Sequence, residues 1–199
     1  MNITSELVKT LRDKTQAGIM DCKEALKEAD GDLEKAVEYL RKKGLATAQK
    51  RAGRAASQGQ IGSYIHGGGK IGVMVEVNCE TDFVGRTESF SEFVHNIAMQ
   101  IAAANPLCVR REEMPADIIE KERDIYRAQA QESGKPDKVI EKIVDGKVDK
   151  FFKESCLLEQ AYVKNPDISI ADYLNETIAQ TGESIAIRRF TRYVLGDEG

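Results

Sequence analysis

The chain has 199 residues with 29 basic and 33 acidic side chains, which gives a formal net charge of −4 at pH 7. This length allows one mid-sized domain and a smaller one. The hydrophobic fraction of 41% and the charged fraction of 31% are those of an ordinary globular protein and exclude a disordered or fibrous chain. The slightly acidic balance does not favour nucleic acid as the main partner, because a protein that binds phosphate backbones needs a basic face.

Cysteine usage and the N-terminal sequence indicate a cytoplasmic protein without a metal site or cofactor. Cys22, Cys79, Cys108 and Cys156 are widely spaced and form no Cys-x-x-Cys pair, so we predict neither a zinc site nor a disulfide framework. Residues 1–5 lack the basic and apolar regions of a signal peptide, and no window approaches the ~18 apolar residues of a membrane span. We therefore expect a cytoplasmic chain with no membrane association.

Residues 3–44 predict three short helices. Thr4 is the expected N-cap of the first helix, Gly18 leads into the second, and Asp32 caps a third that ends at Gly44. The apolar residues at helical spacing are Leu7, Val8, Leu11, Ile19, Cys22, Leu26, Ala29, Leu33, Ala36, Val37 and Leu40. We interpret residues 1–45 as a compact three-helix module.

Residues 46–57 combine several alanines with Lys50, Arg51 and Arg54, and Gly53 interrupts them. We interpret this stretch as a linker that is partly helical. A basic run of this kind contacts RNA or another phosphate-bearing partner in some proteins, but a solvated linker face is the commoner outcome. We therefore assign it no site.

From Gln58 onward the apolar residues recur at every second position, which predicts strands at 59–66 and 70–79 joined by a turn at Gly67–Gly69. The apolar face of the second strand carries Ile71, Val73, Val75 and Val77. The glycines do not form a phosphate loop, because Lys70 closes no Gly-x-x-x-x-Gly-Lys motif and a strand follows. We therefore do not expect the chain to bind a nucleotide itself.

The second strand leads into a short turn, Glu80–Val84, that precedes a helix. Thr87 or Ser89 begins this helix, and Glu92 completes a capping box if Ser89 is the cap. Phe83 has two open interpretations. It either packs back into its own core, as most large aromatic side chains do, or it projects from a tethered turn as a contact residue.

The remaining sequence predicts more helices and one further strand. The helix after the turn runs to about Ala104 and is expected to cover the sheet. Residues 115–156 are typical of a helical hairpin whose second helix is interrupted near Gly146. A last helix begins at Ser169, and a strand at 184–195 follows it.

Together these elements predict an α+β fold. The three-helix module at 1–45 and the linker at 46–57 precede a core domain at 58–199, in which helices cover a three-stranded antiparallel sheet. The alternation of the last strand loses phase at Arg188–Arg189, which indicates a bulge.

Two groups of residues carry a family signature. The first group is Leu11, Arg12, Thr15, Ala17, Gly18, Asp21, Cys22, Lys23, Ala25 and Leu26, and the second is the continuous stretch Glu76–Val84. Together they resemble the paired motifs of the bacterial elongation factor Ts family, the nucleotide-exchange factors for elongation factor Tu. The similarity extends over nearly the whole chain. Gln16 stands where the family usually has Gly, and Gly85 where it favours Ala or Ser, and neither is an expected contact residue.

The resemblance implies a guanine-nucleotide exchange factor that binds elongation factor Tu in its GDP-bound and nucleotide-free forms and disturbs its magnesium and phosphate site. It implies a ubiquitin-associated-like fold for the N-terminal module. The implied contact residues are Thr81, Asp82, Phe83 and Val84 in the turn, and Arg12, Ile19 and Met20 in the module. Phe83 is implied as an aromatic wedge, with Asp82 as its polar neighbour.

A homodimer is a further implication of the resemblance. Longer members carry two related core halves, whereas this chain shows one set of strands and, like short members, is expected to pair through the same patch on both copies. The alternative is a monomer in which the helical hairpin at 115–156 covers the open edge.

Two rival functions remain at this stage. An enzyme needs a positioned acid, base or nucleophile, and His66 and His95 have no Ser or Cys partner at a recognised spacing, so we do not expect one. An RNA- or ribosome-associated protein would use the basic linker together with Arg188, Arg189 and Arg192, which exposed sheet charges explain equally well.

Overall fold

The computed structural model describes residues 3–15, 17–132 and 136–197. Its helices are α1 (Ser5–Thr15), α2 (Ile19–Glu28), α3 (Leu33–Arg51), α4 (Asp82–Gly85), α5 (Glu88–Ala104), α6 (Ala116–Gln131), α7 (Asp137–Ser155) and α8 (Ile170–Thr181). Its strands are β1 (Gln58–His66), β2 (Ile71–Cys79), β3 (Ala161–Tyr162), β4 (Asn165–Ser169) and β5 (Ile185–Val194). The predicted α+β class is confirmed. None of the helices in these ranges is both long enough and apolar enough to cross a membrane.

The chain divides into two compact units. One comprises Met1–Gly62, Glu76–Val94 and Ala171–Ile187, and the other comprises Ser63–Val75, His95–Ile170 and Arg188–Gly199. The domain division suggested by the sequence, with its boundaries at 45 and 57, stays a prediction.

The three N-terminal helices pack around a buried apolar cluster. Asp32 caps α3, because its carboxylate accepts hydrogen bonds from the backbone N–H groups of Glu34 and Lys35 at 2.9 and 3.1 Å. The buried members of the cluster are Val8, Leu11, Cys22, Ala25, Leu26, Ala29 and Ala36. The predicted end of α3 at Gly44 is wrong, since the helix continues to Arg51. The Ala, Lys and Arg residues after Gly44 are good helix formers, and no stop signal precedes Gly53.

The main sheet is antiparallel and has the strand order β1-β2-β5, and each strand ends within one residue of its predicted position. The turn Gly67–Gly69 has positive φ at all three glycines, and the Lys70 N–H donates to the His66 carbonyl at 3.1 Å. The buried face of β2 carries Val73, Val75, Val77 and Cys79. The period-two pattern therefore predicted both the strands and the face that lies on the core.

Helix α5 packs on the sheet, as predicted, and its contacts with β1 show this. The side-chain amide of Gln60 on β1 donates to the Ser91 hydroxyl at 2.9 Å. Further along β1, the Tyr64 ring meets the His95 ring edge-on, with 5.5 Å between their centres. The buried side chains of α5 include Phe90, Phe93, Val94, Ile97, Ala98 and Ile101.

Several helix ends follow the predicted caps. The Thr87 hydroxyl accepts a hydrogen bond from the Phe90 N–H at 3.3 Å, so Thr87 rather than Ser89 begins α5. Helix α8 starts directly after Ser169 and stops before Gly182, whose φ of 70° is the left-handed conformation that ends helices.

The predicted helical hairpin consists of α6 and α7. The prediction that Gly146 interrupts the second helix is wrong, because α7 runs without a break from Asp137 to Ser155. A single glycine lowers helix stability by only about 1 kcal/mol, and the apolar stripe on both sides outweighs it. The hairpin buries Ala130, Ile140, Val144 and Val148. Part of the expected turn between the two helices, residues 133–135, lies outside the described residues.

A second, two-stranded sheet was not predicted. Strands β3 and β4 pair antiparallel over Ala161–Ser169. The buried Gln100 of α5 supports β3 with its side-chain amide, which donates to the Ala161 carbonyl at 3.2 Å and accepts from the Val163 N–H at 2.9 Å. A two-residue strand is too short to produce an alternating pattern, so the sequence carried no signal for it.

Buried and exposed side chains do not alternate regularly along strand β5. Ile185 and Ile187 are buried, whereas Arg188 and Arg189 are both exposed. This confirms the predicted loss of phase in the last strand.

Candidate partner-binding site

The turn after β2 forms a one-turn helix, α4, that presents Phe83 to solvent. Thr81 is its N-cap, and the Thr81 hydroxyl accepts a hydrogen bond from the Val84 N–H at 3.4 Å. The Phe83 side chain is 84% exposed. The interpretation in which Phe83 packs into its own core is therefore wrong. An exposed phenyl ring on a short, capped turn has the form of an interface anchor.

The base of this turn is tightly packed. Gly85 is buried, and a Cβ added there would lie 3.4 Å from the Cys79 sulfur and 3.5 Å from the Gly59 Cα. The Gln60 side-chain amide donates to the Gly85 carbonyl at 2.6 Å. The turn therefore projects from a fixed base, and Gly85 is placed where the chain leaves room for only a small residue.

Asp82 lies beside Phe83 and forms an ion pair with Arg86 at 3.0 Å. Both side chains are mostly exposed, so the pair contributes little to stability. Asp82 is therefore an exposed polar neighbour of Phe83, and its role in binding stays a prediction.

Two glutamates join the turn to the loop between α8 and β5. The Glu183 carboxylate accepts hydrogen bonds from the Thr81 N–H at 3.0 Å and from the Thr81 hydroxyl at 2.6 Å. In the reverse direction, the Glu80 carboxylate accepts from the Ser184 N–H at 2.7 Å. We call the four residues Glu80, Thr81, Glu183 and Ser184 the clasp. Each side of the clasp supplies a carboxylate for a backbone N–H of the other side.

Basic residues after the N-terminal module also reach Glu80. Arg51 at the end of α3 donates to the Glu80 carboxylate at 3.1 Å, and Arg54 lies 3.6 Å from it. The Ser184 N–H and then the two guanidinium groups hold the pKa of Glu80 below its ordinary value. These arginines were predicted to belong to a solvated linker face, and they instead form ion pairs within the chain.

The sequence reasoning missed Glu183, Ser184 and Arg51 as parts of this site. A signal for the first two was present, because an antiparallel β2–β5 pair places the residue after β2 beside the residue before β5. No local pattern identified Arg51, since its contact with Glu80 spans 29 positions of the chain.

The second predicted group lies where α1 leads into α2. Arg12 is exposed in the last turn of α1, and Ile19 and Met20 begin α2 with 50% and 74% of their surface exposed. Ile19 was also predicted to line the buried stripe of its helix, and its position at the first turn leaves it half exposed. We call Arg12, Ile19 and Met20 the docking patch. All three side chains are exposed, and their use as a contact stays a prediction.

Helix α8 contacts the N-terminal module in the same compact unit. Arg41 of α3 forms an ion pair with Asp172 at 2.5 Å. A Cβ added at Gly44 would lie 3.6 Å from the Ala179 Cβ, so α3 and α8 approach closely at small residues. The loop that follows α8 holds Glu183. One helix therefore supports both the module with the docking patch and the turn with Phe83.

Among the described residues, no group of three or more His, Cys, Asp or Glu side chains is arranged to hold a metal ion. His66 and His95 both lie against Tyr64, and the Tyr64 hydroxyl is 3.1 Å from His66 Nδ1. Both histidines therefore have a structural explanation.

Comparison with known proteins decides the family. A family model described as Elongation factor TS matches residues 1–197. The chain belongs to the elongation factor Ts family. Membership associates it with translation elongation and protein biosynthesis.

Several relatives in this family match the chain from end to end. Elongation factor Ts of Desulfosudis oleivorans is 65% identical over 195 residues, which cover 98% of each chain. Elongation factor Ts of Syntrophobacter fumaroxidans is 60% identical over 198 residues, covering 100% of this chain and 99% of the relative. Elongation factor Ts of Geobacter sulfurreducens is 60% identical over 197 residues, covering 99% of this chain and 91% of the relative.

We expect Glu80→Gln to destabilise the protein near neutral pH and to lose this effect in acid. The ordinary pKa of this carboxyl group is 4.5, and the folded-state value is lower. The ionised form therefore contributes stability that is complete above pH 4.5 and is lost as pH falls through the lowered folded-state pKa. Urea unfolding of both proteins from about pH 7 down to about pH 3 measures the difference.

Glu154→Gln is the matched control, because Glu154 makes an exposed ion pair with Lys150 at 3.6 Å on α7. An effect of Glu80→Gln that persists unchanged in acid would contradict the assigned electrostatic role.

Proposed function

We propose that this chain is a guanine-nucleotide exchange factor that binds elongation factor Tu in its GDP form and promotes GDP release during translation elongation. The observation that carries the proposal is the exposed Phe83 on a capped turn with a packed base. Family membership agrees with this role. We also propose that the protein acts in the cytoplasm, where translation takes place.

In the proposed mechanism Phe83 inserts beside the magnesium and phosphate site of the partner. Mg²⁺ requires near-ideal octahedral geometry and bridges the phosphates, so a small displacement of the groups that hold it weakens nucleotide binding strongly. Thr81, Asp82 and Val84 line the same turn and would make the flanking contacts. The chain itself breaks no covalent bond, and in this proposal it is not an enzyme in the chemical sense and binds no nucleotide.

The coupling between this chain and GDP is reciprocal. If binding of the chain lowers the affinity of the partner for GDP by some factor, GDP lowers the affinity of the partner for the chain by the same factor. The chain therefore accelerates exchange in both directions, and the nucleotide concentrations set the direction. Incoming GTP displaces the factor from the nucleotide-free complex.

The docking patch of Arg12, Ile19 and Met20 is proposed as a second contact with the same partner. Its exposed apolar side chains lie in the same compact unit as Phe83. Helix α8 contacts the module, and the loop after α8 contacts the turn. Two linked contacts raise the overall affinity, because the second forms at a high effective concentration once the first is made.

The structure offers less support for the rival RNA- or ribosome-associated function. Arg51 and Arg54 of the basic stretch form ion pairs with Glu80. The Arg192 guanidinium donates to the Ala102 carbonyl at 3.2 Å. The ion pairs partly neutralise the charges of Arg51 and Arg54. The Ala102 carbonyl occupies N–H groups of Arg192 that would otherwise be available to a phosphate.

We also propose that the protein forms a homodimer through the outer face of its sheet. Ile65, Met74 and Tyr193 lie on this face, and they and Leu195 are each more than half exposed. The Ile65 side chain lies over Gly72, since a Cβ there would be 3.4 Å from Ile65 Cδ1. The hairpin leaves these side chains exposed in the single chain, which supports the dimer. An apolar sheet face of this kind is buried most simply by a second copy.

Phe83→Ala should leave the fold intact and slow GDP release from elongation factor Tu by about 30-fold or more. A central aromatic anchor contributes ~2 kcal/mol or more to an interface, and an exposed ring contributes little to its own core. Release of a fluorescent GDP analogue measures the rate. Leu107→Ala, which removes another exposed apolar side chain, is the control. An unchanged rate in the folded Phe83 variant would refute the proposal.

The double variant Ile19→Ala/Met20→Ala should weaken binding to nucleotide-free elongation factor Tu by roughly tenfold without lowering the melting temperature. Met20 is mostly exposed and Ile19 half exposed, so their removal costs mainly interface area rather than core packing. Titration calorimetry measures the affinity. Val37→Ala, at another partly exposed position of the module, controls for a general effect. Wild-type affinity in the double variant would exclude the second contact.

Met74→Asp should convert the proposed dimer to a monomer, because the interface would bury an unpaired carboxylate at the centre of the sheet face. Met74→Leu keeps the apolar surface and should remain dimeric. Sedimentation velocity at micromolar concentration, in the absence of elongation factor Tu, gives the mass of each protein. A wild-type chain that sediments as a monomer would disprove the dimer.

A further inference from the structure

We propose that Glu183 is a positioning residue that holds the Phe83 turn in its binding conformation through the clasp. The inference rests on the proposed exchange function and assigns a role to a residue outside the family motif. Glu183 lies 102 positions from Thr81 in the sequence, and both of its carboxylate oxygens bond to that one residue. No contact between Glu183 and the partner is required.

The turn needs support from outside because α4 has only four residues. An isolated helix of this length is unstable, since fixing the first turn orders several residues for a single hydrogen bond. Within α4 and its caps, the Gly85 N–H donates to the Thr81 carbonyl at 3.2 Å, the Arg86 N–H donates to the Asp82 carbonyl at 3.1 Å, and the Val84 bond to the Thr81 hydroxyl is long at 3.4 Å. These bonds close a single helical turn, which is too short to be stable alone.

The structure supplies supports at both ends of the turn. At the end after Phe83, Gly85 is packed against Cys79 and Gly59, and its carbonyl accepts from Gln60. At the end before Phe83, the support is the pair of bonds from Thr81 to Glu183. The 2.6 Å bond also orients the Thr81 hydroxyl: its hydrogen points to Glu183, which leaves its oxygen lone pair free to accept the Val84 N–H.

Glu80 completes the arrangement from the other side. Its carboxylate accepts the Ser184 N–H, so the loop that carries Glu183 is itself fixed to the base of the turn. Glu183 and Glu80 therefore stabilise each other's backbone positions. Hydrogen bonds that backbone N–H groups donate to a carboxylate are stronger than hydrogen bonds between neutral groups.

Positioning of this kind affects exchange more than it affects folding. A turn that is ordered before binding loses less conformational entropy when it docks. A misplacement of about 1 Å at a residue that must enter a narrow space slows the process strongly. Loss of Glu183 should therefore leave the sheet and the helices intact and release the turn.

The test compares three substitutions in the full chain by GDP release from elongation factor Tu loaded with a fluorescent GDP analogue. Glu183→Ala removes both bonds and is expected to slow release about tenfold. Glu183→Asp keeps the charge, but its side chain is one methylene group too short for the two bonds to Thr81. It should slow GDP release to a similar extent. Glu183→Gln keeps the length and one acceptor oxygen for the Thr81 N–H, so it should stay within about threefold of wild type. Glu154→Ala is the surface control and should match wild type.

Two readouts distinguish positioning from a direct contact with the partner. In the free protein, amide hydrogen exchange at residues 81–86 should be faster in Glu183→Ala, while the protection of α5 stays unchanged. In a double-mutant cycle, adding Glu183→Ala to Phe83→Ala should slow release by no more than about twofold further, because the turn has already lost the side chain that needs positioning. If the fold-changes of the two single variants multiply in the double variant, Glu183 acts independently of Phe83, and the inference is overturned.

The positioning role of Glu183 would also be overturned if folded Glu183→Ala promoted GDP release at the wild-type rate. Equal release rates with Glu183→Asp and Glu183→Gln would overturn it as well. If Glu183→Ala does not fold, the GDP-release rates of Glu183→Asp and Glu183→Gln are sufficient to test the positioning role. The proposed function is judged separately from the wild-type chain. If the wild-type chain does not accelerate GDP release, that function fails, whereas normal acceleration by wild type and by Glu183→Ala removes only the positioning role.

Discussion

The antiparallel pairing of β2 with β5 is the constraint on which the rest of the candidate site depends. At one end of the pair, the Leu195 N–H donates to the Lys70 carbonyl at 2.8 Å. At the other end, the residue that follows β2 meets the residue that precedes β5, and Glu80 accepts the Ser184 N–H. This register brings two loops together that are about a hundred residues apart. Without it, the Phe83 turn would lose the support of the loop after α8 and would keep only the contacts of Gly85 with β1 and Cys79.

Helix α8 precedes β5 and links the Phe83 turn to the N-terminal module. The loop after α8 holds the Phe83 turn, and the helix itself contacts α3 through Asp172 and Ala179. The N-terminal module is therefore packed against an element that also fixes the position of the turn. Packed interiors resist deformation, so contacts of this kind transmit a fixed spacing between two surfaces. A fixed spacing of this kind is what the proposed function, with two contacts on one partner, requires.

The sequence predicted what short-range periodicity encodes. The strand bounds and the buried face of β2 followed from period two, and the turn at Gly67–Gly69 followed from its glycines. Prediction failed where one local signal opposed another, as at Gly44 and Gly146, where flanking helix formers outweigh a single glycine. It did not extend to contacts that are long in sequence. Periodicity left open whether Phe83 is exposed, and the ion pair of Arg51 and the bonds of Glu183 depend on tertiary packing that no window of residues contains.

All four cysteines are buried in the folded chain, which makes the protein well suited to site-directed labelling. Burial raises the pKa of each thiol, for Cys156 to about 12, so little of the reactive thiolate forms near neutral pH. A cysteine introduced on the surface would therefore react with a maleimide dye far faster than the native thiols. A dye placed on the exposed side of α5, close to the turn, would report the approach of a partner without prior removal of the native cysteines.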